Sequence, residues 1–148
     1  MMPKLSVWMV RASLLHMGIG FLFGALILFY KGIPLYPWSW KLLNPHIELM
    51  IFGWTMQFVM GVAFWILPRF SGDGSYGGEG RYGRPYLGWW SFALLNGGIL
   101  LTAFSGWFGN APLLLAGRLF TLSAVCLFVI LVWPRVKPLG GFAASQSS

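Results

Sequence analysis

Apolar residues in this chain come in long unbroken runs rather than in alternation. Four such stretches, at about residues 8–30, 46–68, 86–104 and 112–133, are separated by segments rich in Gly, Pro, Trp and polar residues. A hydrocarbon core takes about 20 helical residues to cross. Only helices or closed barrels satisfy their own backbone there, and runs without period-two alternation select helices. The pattern predicts an all-α, four-helix transmembrane bundle forming a single domain over residues 1–137, followed by a flexible tail over 138–148 ending AASQSS. The first run is longer than a signal-peptide core and no small-residue cleavage site follows it, so it reads as a retained helix.

Within this pattern the second run raises a chemical question, because NPHIELMIFGWTMQFVMGVAFWILPRF, residues 44–70, places His46 and Glu48 in its first turn. Asn44 reads as an N-cap and Pro45 as the first helical residue. At 100° per residue, His46, Met50, Gly53, Gln57, Met60, Gly61 and Phe64 share a stripe able to receive a flat ring or a neighbouring helix. Glu48 points the other way, above Thr55. In the first run His16 shares a face with Gly20, Phe23, Gly24 and Ile27, and Gly20-x-x-x-Gly24 is a close-packing signal.

Composition supports the lipid setting: 57% of the residues are hydrophobic and 9% charged, where a soluble domain has about a quarter charged. The net charge of +7 is thinly spread and lies mostly outside the apolar runs, so it reads as membrane topology rather than a nucleic-acid partner. Lys4, Arg11, Arg69, Arg81, Arg84, Arg135 and Lys137 fall on one side of four spans, and Lys31, Lys41 and Arg118 on the other. Both termini are therefore expected in the cytoplasm of a bacterium, with the chain multi-pass in its inner membrane. GIPLYPWSWKLLNP is expected to lie in the outer interface. SGDGSYGGEGRYGRP is expected to be a flexible cytoplasmic connection. Cys126, the only cysteine, reads as a buried, inert thiol, and intrachain disulfides are excluded.

His46, Gly53-Trp54, Gln57, Gly61, Trp65 and Leu67-Pro68-Arg69 together resemble the second transmembrane helix of haem-copper oxidase subunit I, especially the C-family of cytochrome c oxidases. Gly83-Arg84-Pro85, Leu87-Gly88-Trp89, Leu94-Leu95-Asn96-Gly97-Gly98 and Trp133-Pro134-Arg135-Val136 are similar to short stand-alone subunit I-like membrane proteins, so the resemblance covers about residues 10–137. It implies that His46 is an axial ligand of a low-spin haem b in an electron-transfer protein of a respiratory chain. The short proteins often carry a histidine where Glu48 stands here. A complete oxidase also needs histidines for a second low-spin ligand, a high-spin haem and copper. With only His16 and His46, this chain alone does not reduce oxygen.

The candidate cofactor-binding residues are thus His46, Arg118, Gly53, Gln57 and His16, and the candidate metal ligands are His46, His16 and Glu48. A single iron clamped by His16 and His46 is not expected. It needs alpha carbons roughly 12–13 Å apart, given iron–nitrogen distances of about 2 Å, whereas the depth difference alone is about 15 Å. A second ligand from beyond the chain fits better, either the same histidine of a two-fold homodimer or another subunit of a respiratory complex. Glu48 and Arg118 lie within reach of each other. They read as a neutralising ion pair, or as Arg118 holding a haem propionate and Glu48 binding a metal or accepting a quinol proton. Two further readings stay open: a cofactor-free structural subunit, and a quinone-binding subunit with its site near Glu48 and Trp54.

Overall fold

A computed structural model of the chain describes residues 2–33, 37–67, 84–109 and 111–136, and every regular element among them is helical. Helix α1 is Lys4–Gly32. A 3-10 turn, Pro37–Leu42, leads into α2, which is α-helical over Leu43–Glu48, π-helical over Leu49–Met56 and α-helical again over Gln57–Ile66. Helix α3 is Pro85–Phe108 and α4 is Ala111–Val132, the latter closed by a 3-10 turn at Trp133–Arg135. Four helices are long and apolar enough to cross a membrane. The Gly-rich second loop and the C-terminal tail lie outside the described residues.

Each helix starts or stops for a local reason. Pro85 stands in the first turn of α3, where its missing N–H costs nothing. Gly109, at φ 59°, turns the chain left-handed after Phe108 so that α4 can return at once. Asn44 is not the N-cap that the sequence suggests. The 3-10 turn before it already has helical backbone, with Leu42 at φ −77° and ψ −11°. Asn44 instead donates from Nδ2 to the Thr102 carbonyl of α3 at 2.9 Å.

The chain folds as two antiparallel hairpins, α1–α2 and α3–α4, joined where α2 packs on α3. In the second hairpin Gly98 and Thr102 of α3 face Gly117 and Thr121 of α4. A Cβ on Gly98 would lie 2.8 Å from the Gly117 carbonyl oxygen, and a Cβ on Gly117 would lie 3.0 Å from that of Gly98. Ser91 Oγ donates across the same seam to the Ala124 carbonyl at 2.8 Å. In the first hairpin Ser6 Oγ donates to the Gly61 carbonyl, and a Cβ on Gly61 would lie 2.9 Å from Met9 Cβ. Small and hydroxyl side chains thus bring backbones together, as they do between helices in lipid, where apolar bulk gains nothing by turning inward.

The polarity of the bundle follows from this. Ser6, Ser13, Gln57, Ser91 and Thr102 are fully buried, while Leu28, Ile66, Leu115, Leu122 and Ile130 stand at the surface. Cys126, expected to be buried, is exposed. Helix α4 packs through Gly117, Thr121, Ala124, Phe128 and Leu131, and Cys126 lies off that stripe. Arg135, one of the basic residues counted to orient the spans, is drawn into the bundle. It is 1% exposed, donates from Nη2 to the carbonyls of Phe64 at 2.8 Å and Leu67 at 2.6 Å, and lies over the Phe64 ring at 5.0 Å. The guanidinium closes the C-terminus of α2, where the last carbonyls have no partner within the helix.

The glycine seam makes a contrasting pair of substitutions. Gly98→Ala forces apart the α3 and α4 backbones, whereas a Cβ on Gly97 meets only the Phe120 ring at 3.8 Å. Unfolding in mixed detergent micelles is expected to show a loss of about 1–3 kcal/mol for Gly98→Ala. Gly97→Ala is expected to be neutral, or more stable by up to about 1 kcal/mol.

Candidate cofactor site in the first helix pair

The register of α1 against α2 seats each histidine on a glycine of the opposite helix. His46 lies on Gly24, Met50 on Gly20, and His16 on Gly53; two further turns along, Met9 and Val10 lie on Gly61. A Cβ on Gly24 would come within 2.8 Å of His46 Cε1, and one on Gly53 within 2.8 Å of His16 Cγ and Nδ1. The stripe predicted on α2 is real, and its occupant is the neighbouring helix. Gly53, expected to leave room for a cofactor, holds the His16 ring.

His46 is half-buried, and its Nδ1 stands 2.7 Å from the Gly20 carbonyl oxygen. A carbonyl only accepts, so this contact places the ring hydrogen on Nδ1 and leaves the lone pair on Nε2. The same arrangement orients histidines that ligate metals, where a carbonyl fixes the tautomer and raises ligand basicity. His16 is buried deeper, at 6% exposure. Its polar neighbours are the Gly53 backbone and the Gln57 side chain.

The two imidazoles share the seam without converging. His16 sits opposite Gly53, seven residues from His46, an axial offset of about 10 Å at 1.5 Å per residue. This is less than the 15 Å anticipated, because α2 begins before residue 46. Met50, whose sulfur would lie 2.7 Å from a Cβ on Gly20, packs between the two levels.

Glu48 and Arg118 are brought together, on the side of α2 that faces the second hairpin. Arg118 Nη2 donates to Glu48 Oε1 at 2.6 Å and Nη1 to Oε2 at 3.2 Å, a two-pronged pair with the guanidinium also 5.6 Å from the Phe52 ring centre. Glu48 is 3% exposed and Arg118 46%. The ion-pair reading describes this contact. Among the described residues no three His, Cys, Asp or Glu side chains gather as a metal-holding group, so His46, His16 and Glu48 do not form one centre. A haem asks the protein for an axial ligand with a free lone pair, and His46, with Nδ1 engaged by the Gly20 carbonyl and Nε2 carrying the lone pair, supplies one.

Two features near the site escape sequence reading. The π-helical turns over Leu49–Met56 widen α2, so that both Leu49 and Met50 meet Gly20. Thr55 Oγ1 bonds back five residues to the Met50 carbonyl at 3.0 Å. Such segments are frequent at functional sites, but Leu-Met-Ile-Phe-Gly-Trp-Thr-Met carries no signal that separates π from α. Met50 reads from the sequence only as one member of the mixed stripe that runs from His46 to Phe64.

The unequal burial of the ion pair has an energetic consequence. Arg118→Ala leaves a carboxylate in a dry interior and is expected to destabilise the bundle by about 3 kcal/mol. Glu48→Ala leaves a cation that can reach headgroups and costs less. Thermal unfolding of both variants in detergent checks the order, and Glu48→Gln in the Arg118→Ala background should recover part of the loss. No protein family, characterised protein or solved structure matches this chain.

Proposed function

We propose that this chain is a b-type haem-binding subunit of a bacterial respiratory membrane, with His46 as an axial ligand and its function the transfer of electrons. The observation that carries this reading is the 2.7 Å contact from His46 Nδ1 to the Gly20 carbonyl. It fixes the ring and directs the remaining lone pair to Nε2. Gly24 gives the ring its seat, since any side chain there would occupy the same space. The chain is read with both termini in the cytoplasm, which sets His46 near the outer face. Haem, when bound, supplies one-electron chemistry at iron, and the protein tunes it through ligand identity, burial and hydrogen bonding. The second axial ligand is read as coming from beyond this chain. In a two-fold dimer about the membrane normal, the His46 of each copy lies at equal depth; another subunit of the assembly is the other source.

A cofactor-free structural subunit is the competing reading, and one observation favours it. Both imidazoles are packed inside the α1–α2 seam, where they also serve as helix contacts. A quinol site using Glu48 as proton acceptor has less support, because Arg118 already neutralises that carboxylate. The same protein preparation separates these readings. With haem supplied during expression, the reduced, purified protein is expected to show a low-spin b-type spectrum. His46→Ala should lose it. Gly24→Leu, which keeps the histidine but takes its seat, should lower haem occupancy by about tenfold or more, the loss typical when an outer-shell support is removed. An unchanged spectrum in His46→Ala removes this residue from the site. Colourless wild-type protein that copurifies with other subunits selects the structural reading, and quinone retained after extraction selects the third.

A further inference from the structure

Inside the four apolar runs the Lys, Arg, Asp and Glu residues are Arg11, Glu48 and Arg118. Glu48 and Arg118 neutralise each other. Arg11 is left over. Its side chain is exposed and makes no hydrogen bond or ion pair among the described residues. Helix α1 buries Leu5, Ser6, Met9, Ser13, His16 and Gly20, and at 100° per residue Arg11 stands almost opposite the middle of that stripe. The surface around it is apolar, with Trp8, Leu14 and Leu15 all exposed.

Depth decides where this cation finds a partner. Helix α1 has 29 residues, about 44 Å at 1.5 Å per residue, against a hydrocarbon core of about 30 Å. Centred on that core, the helix sets Arg11 about 5 Å inside the edge nearer its N-terminus. A bare guanidinium is expensive there. Helical Cα–Cβ bonds tilt toward the N-terminus, here toward the near edge, and an arginine carries its charge to the headgroups while its methylenes stay in the apolar layer. The acceptor at that level is phosphate, which a guanidinium binds through paired N–H donors. Neighbouring charge then selects the headgroup. Leu5 packs on Gly88, so α1 and α3 begin at one edge, which brings Lys4 and the exposed Arg84 to it. Glu48, the one acid among the described residues, stands at the start of α2, at the other edge. A basic edge draws a headgroup with net negative charge and repels one that carries its own ammonium.

We propose that Arg11 holds the phosphate of an anionic phospholipid of the phosphatidylglycerol type, in the leaflet where α1 begins, with the acyl chains against Leu14 and Leu15. Lys4 and Arg84 add to the attraction from the same edge. The site lies on the lipid-facing side of α1, away from the His46 seat, and stands whether or not haem binds. With both termini in the cytoplasm, this leaflet is the inner one.

Counting bound lipid tests this directly. Protein in detergent micelles is titrated with phosphatidylglycerol or with phosphatidylcholine of the same chains, and native mass spectrometry reads the bound fraction of each. Wild-type protein is expected to bind phosphatidylglycerol more tightly. Arg11→Gln should weaken that binding about fivefold, the worth of one basic residue near an anionic surface, and Arg11→Lys should keep most of the preference. Lys31→Gln, which removes an exposed cation at the opposite edge, should cost clearly less than Arg11→Gln. Circular dichroism verifies the helices, and Arg11→Leu takes the place of the glutamine variant should that one not fold. Equal binding of the two lipids by wild-type protein overturns the proposal. So does phosphatidylglycerol binding undiminished in a folded Arg11 variant. An equal loss in Lys31→Gln overturns it too, because the preference would then follow net charge and not this site.

Discussion

Close approach of helix backbones at glycine is the constraint on which the rest of this structure depends. In lipid, burying a leucine between helices gains little, because the alternative surroundings are equally apolar. Association then rests on dispersion contacts, interhelical hydrogen bonds and the fit of small residues. The hairpin α3–α4 shows this in its simplest form, with Gly98 and Gly117 opposed and serine and threonine hydroxyls bonding carbonyls across or along the seam. Many leucine, isoleucine and phenylalanine side chains face outward, around a small core that includes Leu95, Ile99 and Phe128.

The α1–α2 seam uses the same geometry for a different end. Its glycines admit imidazole rings and a thioether in place of backbone alone, so the tightest part of the first hairpin is also its most chemically versatile. His46 and His16 differ in consequence, although both rest on glycine. A carbonyl fixes the first by a hydrogen bond and it remains half-buried. The second is sealed, beside Gln57 and the Gly53 backbone. One ring is therefore arranged to present a lone pair, and the other to share a polar interior. On the opposite side of α2, Glu48 and Arg118 are turned toward the second hairpin and spend their charge on each other.

Much of the candidate site was legible before any coordinates. The stripe from His46 to Phe64, the face joining His16 to Gly20 and Gly24, and the reach of Arg118 to Glu48 all follow from helical periodicity and span edges. Periodicity names a face, but it does not say what fills it. Gly53 looked like room for a cofactor and holds His16. Arg135 read only as a topology charge, and it also caps α2 through the carbonyls of Phe64 and Leu67. Asn44 looked like a cap for its own helix and bonds α3. In each case the side chain's partner comes from an element distant in sequence.

By itself the sequence determined four apolar helices, their approximate limits, and which faces carry small and polar residues, because bilayer thickness and helical pitch act on consecutive residues. Tertiary structure decided the register of α1 against α2, and with it which glycine receives which histidine. It also decided the π-helical widening of α2 and the burial of Arg135. These depend on a balance of contacts between segments 26 to 71 residues apart, among helices whose sequences permit several registers. A one-residue slip would change every partner in the seam without changing the hydropathy of either helix.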